Sequence, residues 1–221
     1  MVCHTRAANF VLGLSSMQLN RPHDYGGHVE NQLSVLEKLN LLRADWKGEA
    51  AQAIRKAATK KEAGKKQKKS EMHTAALHDQ RQTPTASLLF QSPNKYDRLA
   101  DPLDPAADLD RRARSYLQAN CAHCHVESGG GNAQIDLAIT TSREKTRIFD
   151  VKPQHQDFGL QDARLVTPGS PERSVLLHRA AHRGSGQMPP LATSLVDQAA
   201  FQLLRDWIRD MGSKAESGDG R

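Results

Sequence analysis

Cys121, Cys124 and His125 stand together in the run CAHCH. Two thiols three positions apart, followed at once by an imidazole, have the spacing of covalent haem attachment. The physical reason lies in the porphyrin edge. Two sulfurs must add across its two vinyl groups, and a C-x-x-C turn at the end of a helix presents both of them to that edge. The adjoining histidine then reaches the iron as its proximal ligand. Two blander chemistries share the pair. Half a zinc site needs a second cysteine pair, and none follows in the sequence. A redox dithiol belongs in a βαβ pattern, and none surrounds this one. His123, inside the motif, reads as a solvent-facing spacer.

A six-coordinate electron-transfer haem needs a second axial ligand, for which a methionine thioether raises the reduction potential. Two methionines follow the motif. Met211 falls on the apolar stripe of the last predicted helix and reads as core. Met188 lies in the loop Gly-Gln-Met-Pro-Pro, where two prolines fix the backbone and no helix offers the side chain a packing face. Met188 is therefore the expected ligand. His178 and His182 are the alternatives, although four positions apart on an arginine-rich helix they also read as surface polar residues.

These side chains need elements to hold them. In DLDRRARSYLQANC, the residues Leu109, Ala113, Tyr116 and Leu117 form one helical stripe leading into CAHCH. Ser170 and Pro171 read as N-cap and first position of a second helix, with Gly184 as its end. The run SLVDQAAFQLLRDWIRDMG places Val196, Ala200, Leu203, Leu204, Trp207, Ile208 and Met211 on one face. Ser194 and Asp197 resemble a capping box there, and Gly212 reads as the stop. Residues 5–46 read as helical, interrupted by RPHDYGG. The fold class expected is all-α. The last and first of these helices are expected to cross, with Trp207 near the cofactor.

Composition sets the frame around them. The chain has 221 residues, only 5% of them aromatic, which is poor material for a large packed core unless something other than protein contributes. The net charge of +6 is local. From Arg55 to Lys69 eight basic residues face one acidic residue, Glu62, a tract of +7 that leaves −1 for the remainder. No run of eighteen apolar residues exists to span a membrane. No basic, apolar and small-residue leader stands at the start.

The stretches RARSYLQANCAHCHVESGGGNAQIDL and DARLVTPGSPERSVLLHRAAHRGSGQMPPLATSLVDQAAFQLLRDWI resemble the C-terminal cytochrome c domain of bacterial two-haem c-type cytochromes. The resemblance covers Asp108 to Met211, about half the chain. The opening is similar to the same family, with Leu19-Asn20 and Asn31 to Leu33 in matching places. With it the chain reads as four regions: a helical remnant of an N-terminal haem domain at 1–46 and a cytochrome c domain at 108–213, as the resemblance implies, and, from composition, a largely disordered linker at 47–107 and a disordered tail at 214–221. One further cysteine before Met1 would make the start C-M-V-C-H, with Cys3 and His4 as remnants of a second haem site and Met17, His23 or His28 as candidates for its distal ligand. Truncation would also account for the missing signal peptide, because haem attachment implies an exported, periplasmic protein. The implied role is one-electron transfer, relaying electrons from an exported dehydrogenase or another cytochrome. Its alternatives are a two-haem peroxidase with an open iron and a haem-free interaction module. The Lys-rich tract departs from the family. It reads as a solvated linker, ahead of a docking site for an acidic partner or lipid, and well ahead of nucleic-acid binding, since residues 47–75 hold no aromatic side chain.

Overall fold

Ser15 opens the first ordered element of the computed structural model, which describes residues 14–39, 41–42, 92–191 and 193–218. Cys3, His4 and the Lys-rich tract lie outside the described residues. The described chain divides into two compact units, one within residues 15–98 and the other from residue 99 onward.

In the first unit, the Ser15 hydroxyl accepts from the Gln18 amide at 3.3 Å while the Ser15 amide donates to the Gln18 side chain at 2.8 Å. This reciprocal pair starts helix α1, Ser16–Leu19. Strands β1 (Pro22–Asp24) and β2 (Val29–Asn31) then form an antiparallel hairpin, with His23 opposite Glu30. Asp24 makes the turn: one carboxylate oxygen accepts from the Gly26 and Gly27 amides at 3.0 and 2.6 Å, and both glycines adopt positive φ, +91° and +94°. Asn31 ends β2 and caps α2, Gln32–Lys38, by accepting from the Leu33 amide at 2.9 Å.

The expectation of an all-α chain is overturned here: the protein is mixed, with a two-stranded antiparallel sheet beside its helices. RPHDYGG is this hairpin and its turn. A Gly-Gly pair preceded by an aspartate is a turn anchor as well as a helix breaker, and the two uses look alike in a short polar run. Buried Asn20 joins the hairpin to a distant segment. Its side-chain amide donates to the carbonyls of Pro93 and Tyr96 at 2.8 and 2.9 Å, and its oxygen accepts from Asn31 at 2.9 Å.

The second unit is built on helices α3 (Leu109–Asn120), α4 (Val175–Ala181) and α5 (Gln198–Gly218). Asp108 caps α3 through the Arg111 amide at 2.9 Å, and Asp197 caps α5 through the Ala200 amide at 3.0 Å. Both α3 and α4 pack on α5. The stripes read from the sequence meet there, with Ala113, Leu117, Leu204, Trp207 and Ile208 buried together with Ile148. Short parallel bridges, Phe149 with Val166 and Arg164 with Ser174, tie the connecting loops.

Four helix boundaries differ from expectation. Ser194 and Val196 precede α5, which starts at Gln198 with Asp197 itself as the cap. Ser170 and Pro171 precede a 3-10 turn, Pro171–Arg173, and the α-helix begins only at Val175. It ends at Ala181, before Gly184, whose φ is +100°. Gly212 does not stop α5. A Cβ there would lie 2.5 Å from the Gly169 Cα, and the Gly169 amide donates to the Ile208 carbonyl at 2.8 Å. Gly212 is glycine because a loop lies on the helix at that point.

Trp207 is the largest fully buried side chain. Its indole N–H donates to Asp110 at 2.8 Å, and its ring meets Phe149 edge-on at 5.9 Å. Trp207→Ala is expected to cost about 3–5 kcal/mol in urea unfolding, and Trp207→Phe about 1–2 kcal/mol.

Candidate functional site

Helix α3 runs out at Cys121, whose amide still donates to the Leu117 carbonyl at 2.9 Å. The motif continues as a tight turn. The Cys121 carbonyl accepts from the amides of both Cys124, at 3.1 Å, and His125, at 2.9 Å. Ala122 is buried and anchors the turn on the core, while Cys121, Cys124 and His125 are half-buried. Neither of the two is in a disulfide. Burial, with the neighbouring Cys124 second, pushes the Cys121 thiol up to about 12, although the residue keeps some exposed surface.

A glycine-rich loop wraps this turn from outside. The Gly131 amide donates to the Cys124 carbonyl at 2.9 Å, and the Leu137 amide to the His125 carbonyl at 2.8 Å. A Cβ on Gly131 would fall 2.5 Å from His125 Nδ1, and one on Gly129 would fall 2.3 Å from the Cys124 carbonyl oxygen. The run SGGGN has the composition of a plain loop, but Gly129 and Gly131 are required by close approach, a use that a run of three glycines does not reveal. Gly131→Ala is expected to displace the imidazole and cost about 1–3 kcal/mol, measured as a shift in the denaturation midpoint.

His125 Nδ1 is buried and has no hydrogen-bond partner among the described residues. Burial first, then His123 and Arg179, lowers the His125 pKa, so the ring is neutral at pH 7. Neutral imidazole is the form that ligates a metal. His123 is half-buried with its pKa lowered by burial, so it is less open to solvent than a spacer would be.

Met188 is half-buried in the loop after α4. Its amide donates to the Arg179 carbonyl at 3.0 Å, and Gln187 braces the loop through the Pro189 carbonyl and Thr193. Arg179 thus touches the Met188 loop and acts electrostatically on His125. The alternative ligands are engaged elsewhere. His178 and His182 stack on each other with centroids 5.6 Å apart, and Phe158 lies 4.5 Å from His178. Met211 is buried in the core, as its stripe position implies. In the first unit, Met17 sits on α1, His23 meets Tyr25 edge-on at 4.7 Å, and His28 lies 3.2 Å from Glu30.

Among the described residues, no group of three or more His, Cys, Asp or Glu side chains gathers to hold a metal ion. Haem attachment draws on a different donor set: two thiols, one imidazole and a thioether. That set fits the residues present here, with both cysteines on one turn and outside any disulfide, and the next imidazole neutral with its Nδ1 unsatisfied. An open polar groove of about 690 Å³ lies elsewhere, lined by residues that include Asp136, Thr141, Glu144 and Arg147, and it contains none of the motif residues. No helix among the described residues is long and apolar enough to cross a membrane.

Compared with protein-family models, curated proteins and solved structures, the chain matches none.

Proposed function

We propose that the chain is a c-type cytochrome that carries single electrons on a covalently attached haem. The observation that carries this reading is the CAHCH turn, where two cysteines outside any disulfide and a neutral imidazole with an unsatisfied Nδ1 follow one helix end. Cys121 and Cys124 would hold the porphyrin edge, and His125 and Met188 would ligate the iron. Bound there, the haem supplies a ferric–ferrous couple and much of the apolar mass that the composition lacks.

The protein's own residues do the rest. The Cys121 carbonyl fixes the turn that spaces the thiols. The loop at Gly129 and Gly131 covers the motif and restricts the imidazole. The Arg179 carbonyl and Gln187 hold the Met188 loop in place. The work proposed is electron relay and not catalysis, in an exported, periplasmic setting. Its partners would be redox proteins such as a dehydrogenase or another cytochrome.

The test is covalent haem per chain, by pyridine haemochrome and intact mass, on the full chain exported beside a haem-attachment system. One haem with a low-spin spectrum is expected. A polypeptide of unmodified mass would overturn the proposal.

A further inference from the structure

Arg179 makes more contacts with the methionine loop than a surface arginine on a short helix has reason to make. Its backbone carbonyl accepts from the Met188 amide at 3.0 Å. Its guanidinium donates to the Gly186 carbonyl at 2.8 Å. The same group lies over the Phe158 ring, 4.6 Å from the centroid. Phe158 in turn presses on the loop, since a Cβ on Gly186 would lie 2.8 Å from the Phe158 ring edge. Gly186 has φ of +88°, so its carbonyl is presented to the guanidinium by a backbone conformation that other residues rarely adopt. One side chain therefore grips the loop two residues before Met188, and one carbonyl grips Met188 itself.

From this geometry we infer that Arg179 is a positioning residue: it clamps the loop that carries Met188 and holds its positive charge against that loop, two residues from the proposed thioether ligand. The inference rests on the c-type cytochrome reading for its redox consequence, but the clamp itself belongs to the polypeptide. A planar guanidinium can donate along its edge to Gly186 while lying flat on Phe158. A lysine keeps the charge and loses the flat face. A methionine keeps some of the stem and loses both.

Two consequences follow for the side chain. The first is mechanical. A loop that opens more readily lets an external ligand displace the thioether, so the apparent affinity for added imidazole rises with the open fraction. The second is electrostatic. A nearby cation disfavours ferric iron, the more positive state, so its removal lowers the reduction potential. These separate in Arg179→Lys, where charge is kept and the clamp weakened.

The experiment compares the wild-type full chain with Arg179→Met and Arg179→Lys. Haem content is read first, then imidazole titration, the reduction potential and hydrogen exchange across residues 184–188. Arg179→Met should keep its covalent haem, bind imidazole about tenfold more tightly, lower the potential and exchange faster over 184–188. Arg179→Lys should restore most of the potential and only part of the imidazole resistance. Unchanged imidazole affinity and unchanged exchange in Arg179→Met would overturn the clamp. An unchanged potential in Arg179→Met would overturn the electrostatic role. A wild-type chain that takes no haem would instead sink the cytochrome reading. Exchange over 184–188 would then decide the clamp alone, faster exchange in Arg179→Met supporting it and unchanged exchange overturning it.

Discussion

A chain carrying Cys121→Ser and Cys124→Ser together is expected to lose covalent haem completely, with no haemochrome signal after denaturation and a mass equal to the polypeptide alone. Serine is close to isosteric, and neither cysteine takes part in a disulfide, so the turn itself should survive. The hydrogen bonds that shape it are backbone bonds, from Cys121 to Leu117 and from Cys124 and His125 to the Cys121 carbonyl. Loss of haem with the fold retained would therefore assign the attachment to the sulfurs. Each single variant should keep one thioether link and a haem that resists extraction. Retention of covalent haem by the double variant would move the attachment site elsewhere. The test is sharp because the sequence contains only one other cysteine, Cys3.

Met188→Ala is expected to keep the covalent haem while losing the low-spin spectrum and the charge-transfer band of thioether-ligated ferric iron. The potential should fall by on the order of 0.1 V, because axial-ligand identity is among the strongest levers on a haem couple. The control is Met211→Ala. Met211 is buried in the core cluster, where the Arg143 guanidinium donates to its sulfur, so its loss should cost about 2–5 kcal/mol of stability and leave the spectrum alone. The two substitutions remove the same chemical group and should fail in opposite assays. If Met188→Ala leaves the spectrum unchanged, the sixth ligand is another residue. The stacked pair His178 and His182 would then be the first place to look.

The elements that carry the site were legible where chemistry and periodicity coincide. The stripe of α3 and the apolar face of α5 depend on local spacing, which a sequence displays directly, whereas the caps by Asp108 and Asp197 were not read as such. The hairpin was not legible, because its strands are three residues long, β1 exposed throughout and β2 half-buried at Glu30 and Asn31, with no alternation to mark them. The contact of Asn20 with Pro93 and Tyr96 spans more than seventy positions and leaves no periodic trace. At the candidate site, the motif residues announced themselves by type. Their supporting parts did not. Gly131 works by what it lacks, and Arg179 works through a carbonyl as much as through its charge. Neither property distinguishes these residues from an ordinary loop glycine or surface arginine.

The contact between Gly169 and Gly212 bears on how this protein can be changed. A glycine inside a 21-residue helix is the position a protein engineer would replace first, since alanine there ordinarily gains about 1 kcal/mol. Here the added methyl would meet the backbone of Gly169, which holds φ of +81° and is itself 3.0 Å from Gly212 when given a Cβ of its own. Neither site can accept a side chain unless the other segment retreats. The pair therefore behaves as one mutational unit. Single substitutions at either position should be rejected in a selection for folded protein, and a helix-propensity scale would rank the rejected alanine at 212 among the most favourable changes in the chain.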